Sequence, residues 1–350
     1  MSIPVTVLGA TGLVGQVFCE RLASHPLFQI ETLVAGPESA GIPYGEAVRW
    51  KRPGTVPRSL AGLRLAAPPE RLPTAIAFSS LSPEASAALE APYADAGAWV
   101  FTNAATHRMD PDVPLVVPEV NGDHLPQALA QDRAGAIVAN PNCTTVGLAL
   151  ALAPLRPRFG VQGVRVVSLQ ARSGAGLIHG EFMELEDDLH PEIPGEAAKM
   201  AQELPKILGA WSSGQRLQPA ELDIRATCMR VPVTHGHTLC VDVTLSAPAT
   251  AAELHDAWAK FDGLAGERAL PSTPRPLIHV DQGLAAPRPR PHRDRGDGLA
   301  ISVGGLSPLD TEGRQWRFVT LSHNLVRGAA GGAILTAEAA HRRGLLPGTP

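Results

Sequence analysis

Residues 5–15 have the sequence VTVLGATGLVG: an apolar, β-branched run enters a glycine-rich turn, and a segment with helical periodicity follows at residues 13–24. Strand, turn and helix in this order are the context that a dinucleotide-binding loop requires. Glycines let the backbone approach a pyrophosphate, and the start of the helix offers unpaired N–H groups and a positive dipole end. The spacing is G-x-x-G-x-x-G, which a purely structural turn could share. We predict that the cofactor-binding residues here are Gly9, Thr11, Gly12, Leu13, Val14 and Gly15.

The rest of the chain predicts an α/β protein with two different sheets. Up to about residue 140, short β-rich runs, among them 115–120, alternate with helix-compatible segments such as 83–96, which is typical of a parallel sheet covered by helices. From about residue 161 the strands are longer and the helices fewer, which favours an antiparallel or mixed sheet in an α+β domain. Residues 324–343 are predicted to form a helix, and the Pro/Arg-rich residues 286–298 an irregular loop.

The composition of the 350 residues makes some functions improbable. The formal net charge of −4, with mostly scattered arginines, provides no electrostatic footprint for nucleic acid. The N-terminus has no basic segment before an apolar run, and no apolar stretch approaches about 18 residues, so we expect a cytoplasmic protein without a membrane partner. The four cysteines form no C-x-x-C pair, so reduced thiols and no metal site are expected.

One cysteine stands in a context that favours reactivity. In NPNCTT (residues 140–145), Cys143 follows a proline and precedes a segment with helical character. The thiolate is the reactive form of cysteine, and the N–H groups and dipole at the start of a helix stabilise it. A free cysteine is more often a small buried apolar residue, and that alternative is retained for Cys19, Cys228 and Cys240.

Two histidines are candidate partners of this thiol. Both His235 and His237 lie in RVPVTHGH (residues 230–237). Two positions apart on a strand, they would face the same side, so spacing alone does not separate them.

Nine segments spread over residues 9–332 resemble, in order, those of the aspartate-semialdehyde dehydrogenases, particularly the archaeal and fungal-type branch. They are GATGLVGQ, ESAGIPYGE, TNAATHRM, PLVVPEVNGDHL, NPNCTT, LQARSGAG, PGEAAKM, RVPVTHGH and NLVRGAAGG. The resemblance implies a Rossmann-type nucleotide-binding domain, residues 1–142 plus a C-terminal helix at 323–350, and an α+β catalytic and dimerisation domain with a mixed sheet at 143–322. It also implies a homodimer or a homotetramer.

The activity that the resemblance implies is NADPH-dependent reductive dephosphorylation of L-4-aspartyl phosphate to L-aspartate 4-semialdehyde, in the pathway to lysine, threonine, methionine and isoleucine. Cys143 would form a thioester and His237 would be the acid/base. Gln170 would position the thioacyl group, and Asn142 would contribute to the oxyanion site, although each could serve only structure, Asn142 as a helix cap.

The same resemblance assigns the groups that hold the substrate. Arg230 would bind the α-carboxylate, Glu196 the ammonium, and Lys199 with Arg108 the phosphate. From spacing alone, Glu196 and Lys199 could instead form an ordinary exposed ion pair. Two alternatives stay open: a related acyl-phosphate or acyl-CoA reductase, such as an N-acetyl-glutamyl phosphate reductase or a malonyl-CoA reductase, and a catalytically silent nucleotide-binding paralogue.

The cofactor that the resemblance implies is NADP, with further contacts from Ser39, Ser79, Ser173, Gly174 and Asn324. Many relatives have Ser-x-Arg-Ser-Ala-Gly after the second strand, where this chain has Gly-Pro-Glu-Ser-Ala-Gly. Glu38 therefore replaces the arginine that receives the 2′-phosphate. A carboxylate there favours a ribose 2′-hydroxyl, so NAD is a possible cofactor as well. The alternative is that Glu38 points into solvent and that a cation from elsewhere, such as Arg49 or Lys51, receives the 2′-phosphate.

Overall fold

A computed structural model describes residues 2–176, 185–212, 217–264, 270–283 and 285–347. The strands are β1 Ile3–Leu8, β2 Phe28–Val34, β3 Ile76–Ser79, β4 Trp99–Thr102, β5 Ala136–Ala139, β6 Val161–Ala171, β7 Asp223–Val231, β8 His237–Leu245, β9 Ile278–Val280, β10 Ile301–Pro308 and β11 Gln315–Ser322. The α-helices are α1 Leu13–Leu22, α2 Tyr44–Ala47, α3 Arg58–Ala61, α4 Pro83–Asp95, α5 Pro118–Asn121, α6 Cys143–Leu152, α7 Arg156–Phe159, α8 Glu196–Ile207, α9 Ala251–Ala259, α10 Pro289–His292 and α11 Gly331–Arg342.

The chain forms two compact units, residues 1–116 with 123–140 and 329–350, and residues 117–122 with 141–328. The domain limits expected from the sequence lie at 142/143 and 322/323, and residues 348–350 of the expected C-terminal segment lie outside the described residues. We refer to the two compact units as the first and the second unit.

The first unit contains a five-stranded parallel sheet with the strand order β2-β1-β3-β4-β5. The helix α1 packs on β1 and β2, α4 packs on β4 and β5, and α11 packs on β4 and α1. The strands β3, β4 and β5 are buried along their whole length, as expected for parallel strands covered by helices on both faces. The prediction of a parallel, helix-covered sheet is confirmed.

The second unit contains a six-stranded mixed sheet with the strand order β7-β6-β8-β11-β10-β9. Parallel pairing joins β6 to β7 and β9 to β10, and the other neighbours are antiparallel. The helices α6, α8 and α9 pack on this sheet. Along β8 buried residues alternate with half-buried ones, as expected when one face of a strand meets the core. The prediction of a mixed sheet is confirmed.

Three sequence predictions differ locally from the structure. In residues 115–120, only Leu115 pairs with the sheet, at Ala139, because Pro118 begins α5 instead of continuing a strand. In the Pro/Arg-rich loop, residues Pro289–His292 form one helical turn. The C-terminal helix starts only at Gly331, and a π-helical segment, Val326–Ala330, which is kinked by non-helical backbone angles at Ala329, precedes it.

The first part of the π-helical segment, which lies in the second unit, is held by a buried ion pair. The Arg327 guanidinium donates two hydrogen bonds to the Glu119 carboxylate, 2.7 Å from Nη1 to Oε1 and 2.5 Å from Nη2 to Oε2. Both side chains are fully buried. The two hydrogen bonds of this contact replace the water that each charged group loses on burial. Removal of either partner would leave the other as an uncompensated buried charge.

We expect Arg327→Met to destabilise the protein by about 3–5 kcal/mol, because the variant leaves the Glu119 carboxylate buried without its guanidinium. The measurement is urea-induced unfolding. Arg158→Met is the control, since Arg158 pairs with Asp256 at the surface and its loss should change stability little. Equal free energies of unfolding for both variants would refute the stabilising role of the buried pair.

Candidate active site

Cys143 is the first residue of α6, and Asn142 caps this helix. The Asn142 side-chain oxygen accepts the N–H of Thr144 at 2.9 Å, which is typical of an N-cap. Cys143 therefore lies at the positive end of a ten-residue helix, where a thiolate is stabilised.

His237, at the start of β8, is the histidine beside this thiol. Its Nε2 lies 3.1 Å from the Cys143 Sγ, and its Nδ1 accepts the backbone N–H of Ala171 at 2.9 Å. The ring is fully buried. Burial, followed by the positive charge of Arg230 and the proximity of His235, holds the pKa of His237 well below its usual 6.5. The imidazole is thus neutral around pH 7.

The other candidate, His235, has different contacts. Its Nδ1 lies 2.8 Å from the Ser173 hydroxyl, and its ring stacks on His323 with a centroid separation of 5.5 Å. The structure therefore separates two histidines that sequence spacing left equivalent: of the two, His237 is the one hydrogen-bonded to the sulfur.

The remaining cysteines are placed differently from Cys143. Cys19 is fully buried, and burial raises the pKa of its thiol to about 12. Burial also raises the pKa of Cys228 and of Cys240. None of these three thiols begins a helix, so their placement agrees with the prediction that they are structural.

A buried guanidinium lies next to this pair. Arg230 on β7 donates from Nη1 to the main-chain oxygen of Ala171 at 2.9 Å and to the Gln170 side chain at 3.4 Å. A side chain at Gly174 would meet both Arg230, 2.6 Å from Nη1, and His237, 2.9 Å from Cε1. Gly174 thus keeps the space above these two groups open, whether or not it also contacts a cofactor.

The acidic group of the site is Glu196, in the first turn of α8. Its Oε2 accepts hydrogen bonds from Asn142 at 2.8 Å and from Gln170 at 3.3 Å, while its Oε1 accepts one from Lys199 at 2.7 Å. Burial tends to raise the pKa of Glu196, but the hydrogen bond and charge of Lys199, with the amides of Asn142 and Gln170, lower it overall. Glu196 is buried, so the ordinary exposed ion pair considered from spacing does not describe it.

Sequence reasoning missed one residue of this cluster, Glu203. Its carboxylate accepts the backbone N–H of Asn142 at 2.6 Å and is almost fully buried. Glu203 follows Glu196 by seven positions, two helical turns, so it lies on the same face of α8. The seven-residue spacing is the sequence signal from which Glu203 could have been predicted. Together the carboxylates of Glu196 and Glu203 hold Asn142, the residue that precedes Cys143.

Two predicted cofactor residues of the second unit lie beside the THGH turn. Asn324 donates from Nδ2 to the Ser173 hydroxyl at 2.9 Å and accepts the N–H of Gly236 at 2.9 Å. Both side chains are buried. Asn324 therefore ties the end of β11 to the residue between the two histidines.

The glycine loop of the first unit is a tight turn in front of a helix N-terminus. Gly9 has a φ of +76°, and a Cβ there would lie 2.8 Å from the Ser80 carbonyl oxygen. A Cβ on Gly15 would overlap the Gly9 carbonyl oxygen. Within the described residues, no side chain caps the N-terminus of α1, so its first-turn N–H groups are available to an anion.

Buried side chains hold this loop from behind. The Tyr44 hydroxyl donates to the Ala10 carbonyl oxygen at 3.0 Å. Gln16 donates to the carbonyl oxygens of Thr11 at 3.0 Å and Arg49 at 3.1 Å, and accepts the N–H of Lys51 at 2.7 Å. The loop and the segment 49–51 are thereby fixed to each other.

The other predicted residues of the first unit have mixed surroundings. Ser79 is buried and donates to Glu90 at 2.5 Å, so its hydroxyl is engaged inside the unit. Arg108 is almost buried and donates to the Asn103 carbonyl oxygen at 2.7 Å. Glu38 and Ser39 lie in a short 3₁₀ turn after β2, where the Glu38 carboxylate folds back over Gly36.

Among the described residues, no helix combines the length and apolar character needed to cross a membrane.

Known proteins resemble this chain over nearly its whole length. Residues 4–128 match the family model "Semialdehyde dehydrogenase, NAD binding domain", and residues 152–327 match "Semialdehyde dehydrogenase, dimerisation domain". The aspartate-semialdehyde dehydrogenase of Archaeoglobus fulgidus is 39% identical over 343 residues, 97% of this chain and 98% of the relative. That of Saccharomyces cerevisiae is 35% identical, over 97% of this chain and 98% of the relative.

The solved structures that resemble this chain are also aspartate-semialdehyde dehydrogenases. The aspartate-semialdehyde dehydrogenase from Candida albicans, solved with NADP, has a TM-score of 0.89 and 34% identity and covers 99% of this chain and 100% of its own. Aspartate-semialdehyde dehydrogenase II from Vibrio cholerae, complexed with ASA, has a TM-score of 0.77 and 25% identity, over 98% of this chain and 99% of its own. The resemblance inferred from the sequence motifs is therefore confirmed, and the chain belongs to the aspartate-semialdehyde dehydrogenase family of NAD(P)-dependent oxidoreductases.

Proposed function

We propose that this protein carries out the family reaction with Cys143 as the nucleophile. The observation that carries the proposal is the short contact between the Cys143 Sγ and the His237 Nε2, 3.1 Å, at the start of a helix. The thiolate attacks the acyl carbon of L-4-aspartyl phosphate, a C–S bond forms, and phosphate leaves with the electron pair of the broken C–O bond. The product of this step is a thioester on Cys143.

The buried charges beside the thiol suit an amino-acid substrate. The fork of Arg230 matches an α-carboxylate, and Glu196, whose pKa is lowered, remains an anion for the α-ammonium. An acetylated amine would have no use for such an anion, which is why a free amino acid is favoured over an N-acetyl-glutamyl phosphate. Lys199 and Arg108 are the proposed phosphate ligands. The ammonium of Lys199 is partly exposed, so it can leave the Glu196 carboxylate and bind the substrate phosphate.

Gln170 and Asn142 have more restricted parts in this proposal. Gln170 is buried between Arg230 and Glu196, so its amide is held where it can orient the acyl chain. The Asn142 amide donates to Glu196 and its oxygen caps α6, which supports the helix-cap role more directly than a contact to the oxyanion.

The residues of the glycine loop fit a dinucleotide, because the tight turn that the absence of Cβ atoms at Gly9 and Gly15 permits leads into the N-terminus of α1, whose N–H groups can bind a pyrophosphate. When bound, the nicotinamide cofactor supplies the hydride that reduces the acyl group to the aldehyde. Ser173, Gly174 and Asn324 are the proposed contacts in the second unit.

Glu38 sets the proposed cofactor preference. A side chain at Gly36 would overlap the Glu38 carboxylate, so the glycine that replaces the relatives' serine gives this carboxylate room to fold back. An exposed anion at this position repels a 2′-phosphate and can accept a hydrogen bond from a ribose 2′-hydroxyl. The protein therefore uses NADP with much weaker discrimination against NAD than relatives that carry arginine there.

The outer face of the second unit's sheet is the proposed homodimer interface. Thr227, Val167, Cys240 and Val319 are cross-strand neighbours and form one row of this face. Val167 is 39% exposed, and the other three are exposed or half-buried. These residues belong to the segment that matches a dimerisation domain, which supports a second copy of the chain as the occupant.

Cys143→Ser should fold normally but lower kcat by at least about 10³-fold, because a hydroxyl is a far weaker nucleophile than a thiolate. Rapid iodoacetamide labelling should disappear in the same variant. Cys240→Ser is the matched control and should keep both properties. Wild-type turnover in Cys143→Ser would exclude the thioester.

Glu38→Arg should shift the ratio of kcat/KM for NADP over NAD upward by about tenfold or more, because a guanidinium replaces a carboxylate at the 2′-position. The control is Glu46→Arg, which makes the same charge change at an exposed position in α2. A strong wild-type preference for NADP that Glu38→Arg leaves untouched would show that Glu38 does not contact the ribose.

Val167→Glu should convert the homodimer to a monomer, because it places a charge inside the row that Thr227, Val167, Cys240 and Val319 form. Sedimentation velocity measures the change. Leu309→Glu, at a position that is 41% exposed outside that row, is the control and should remain dimeric. A dimeric Val167→Glu variant would assign the interface to another surface.

A further inference from the structure

Glu90, on α4, is a fully buried carboxylate next to the carboxyl ends of two strands in the first unit. Its Oε1 accepts the hydroxyl protons of Ser79 at 2.5 Å and of Thr102 at 2.8 Å. Ser79 is the last residue of β3 and Thr102 the last residue of β4. Glu90 therefore joins α4 to the edge of the parallel sheet at which proteins of this architecture bind their ligands.

The second oxygen of Glu90 faces a histidine. Oε2 lies 3.9 Å from the Nε2 of His107, and neither atom has a hydrogen-bond partner in the described part of the chain, although both are buried. The other ring nitrogen of His107, Nδ1, lies 2.8 Å from the Asp110 carboxylate, which accepts hydrogen bonds, so Nδ1 carries a proton. A proton must also lie between Nε2 and Oε2, because two facing lone pairs would repel each other in a buried place.

His107 belongs to the segment that follows β4, residues 103–110. At its start, Asn103 donates from its side chain to the Ser79 carbonyl oxygen at 3.2 Å. Arg108 donates from Nη2 to the Asn103 carbonyl oxygen at 2.7 Å. The guanidinium of Arg108 therefore depends on both ends of the segment, one held at β3 and the other held on α4 through His107.

We propose that Glu90 and His107 are positioning residues for the substrate phosphate. The proton between them fixes residues 103–110 on α4 and thereby the guanidinium of Arg108. This inference rests on the proposed role of Arg108 as a phosphate ligand. Because the pair acts through Arg108, its loss weakens the binding of phosphate and leaves the chemical step at Cys143 nearly unchanged.

The first test removes the contact from the histidine side. His107→Phe keeps a ring of similar size but cannot share a proton with Glu90. We expect the KM for inorganic phosphate, measured in the reverse reaction, to rise about tenfold, while kcat changes less than about threefold. Glu90→Gln is the conservative variant: its amide oxygen accepts the two hydroxyl protons and its N–H faces Nε2, so its KM for phosphate should stay near that of the wild type.

A second buried histidine–glutamate pair of the first unit supplies the matched control. The Nε2 of His25 lies 2.8 Å from the carboxylate of Glu338, and both side chains are buried. His25 precedes β2 and is thus at the opposite, amino edge of the sheet. His25→Phe makes the same chemical change without touching residues 103–110, so the KM for phosphate should not change.

The second test asks whether the effect passes through Arg108. Arg108→Leu should raise the KM for phosphate, and the double variant with His107→Phe should raise it no further, because both changes act on one guanidinium. Additive effects, an unchanged KM in His107→Phe, or an equal rise in the KM for NADP would overturn the proposal. If His107→Phe does not fold, Glu90→Asp, whose shorter side chain withdraws Oε2 from the ring, takes its place with the same expected outcomes. An unchanged KM in Arg108→Leu itself would refute the proposed phosphate ligand, and this inference with it.

Discussion

The active-site cluster of this protein depends on how Asn142 is held. Glu203 accepts the backbone N–H of Asn142, and Glu196 accepts an N–H of its side-chain amide. Two carboxylates of α8 therefore bind the same residue. The remaining oxygen of the amide caps α6. Because Cys143 is the next residue, these three bonds hold its backbone in place. A buried N–H without its acceptor would be costly, which makes this arrangement hard to relax.

The sequence predicted most of the fold because the deciding signals are local. The glycine turn between a strand and a helix, and the longer strands after residue 161, depend on neighbouring residues only. The failures have local causes as well. The apolar character of residues 115–120 predicts a strand. Pro118, however, has a fixed φ and no N–H, which favour the first turn of a helix, and it begins α5. The π-helical segment before α11 has no comparable sequence signal, and it is held by a contact to the distant Glu119.

The sequence predicts the residues of the candidate site less completely than the fold. Cys143, Gln170, Glu196, Arg230 and His237 meet in one cluster, but motif resemblance selected them and spacing alone did not. The preference for His237 over His235 became a geometric statement only when their partners, Cys143 and Ser173, were known. Glu203 was overlooked because a glutamate two turns beyond another on a helix is usually an exposed residue. Its burial depends on α6, which lies some fifty residues earlier in the chain.

The charges of the cluster explain why a neutral histidine is favoured. Arg230 and Lys199 are cations, and Glu196, whose pKa is lowered, is an anion, so two positive charges already lie in the described cluster. An imidazolium would add a third cation next to a buried guanidinium, and Glu196 is already engaged with Lys199. Together with the complete burial of the ring, these charges lower the pKa of His237 and favour its neutral form.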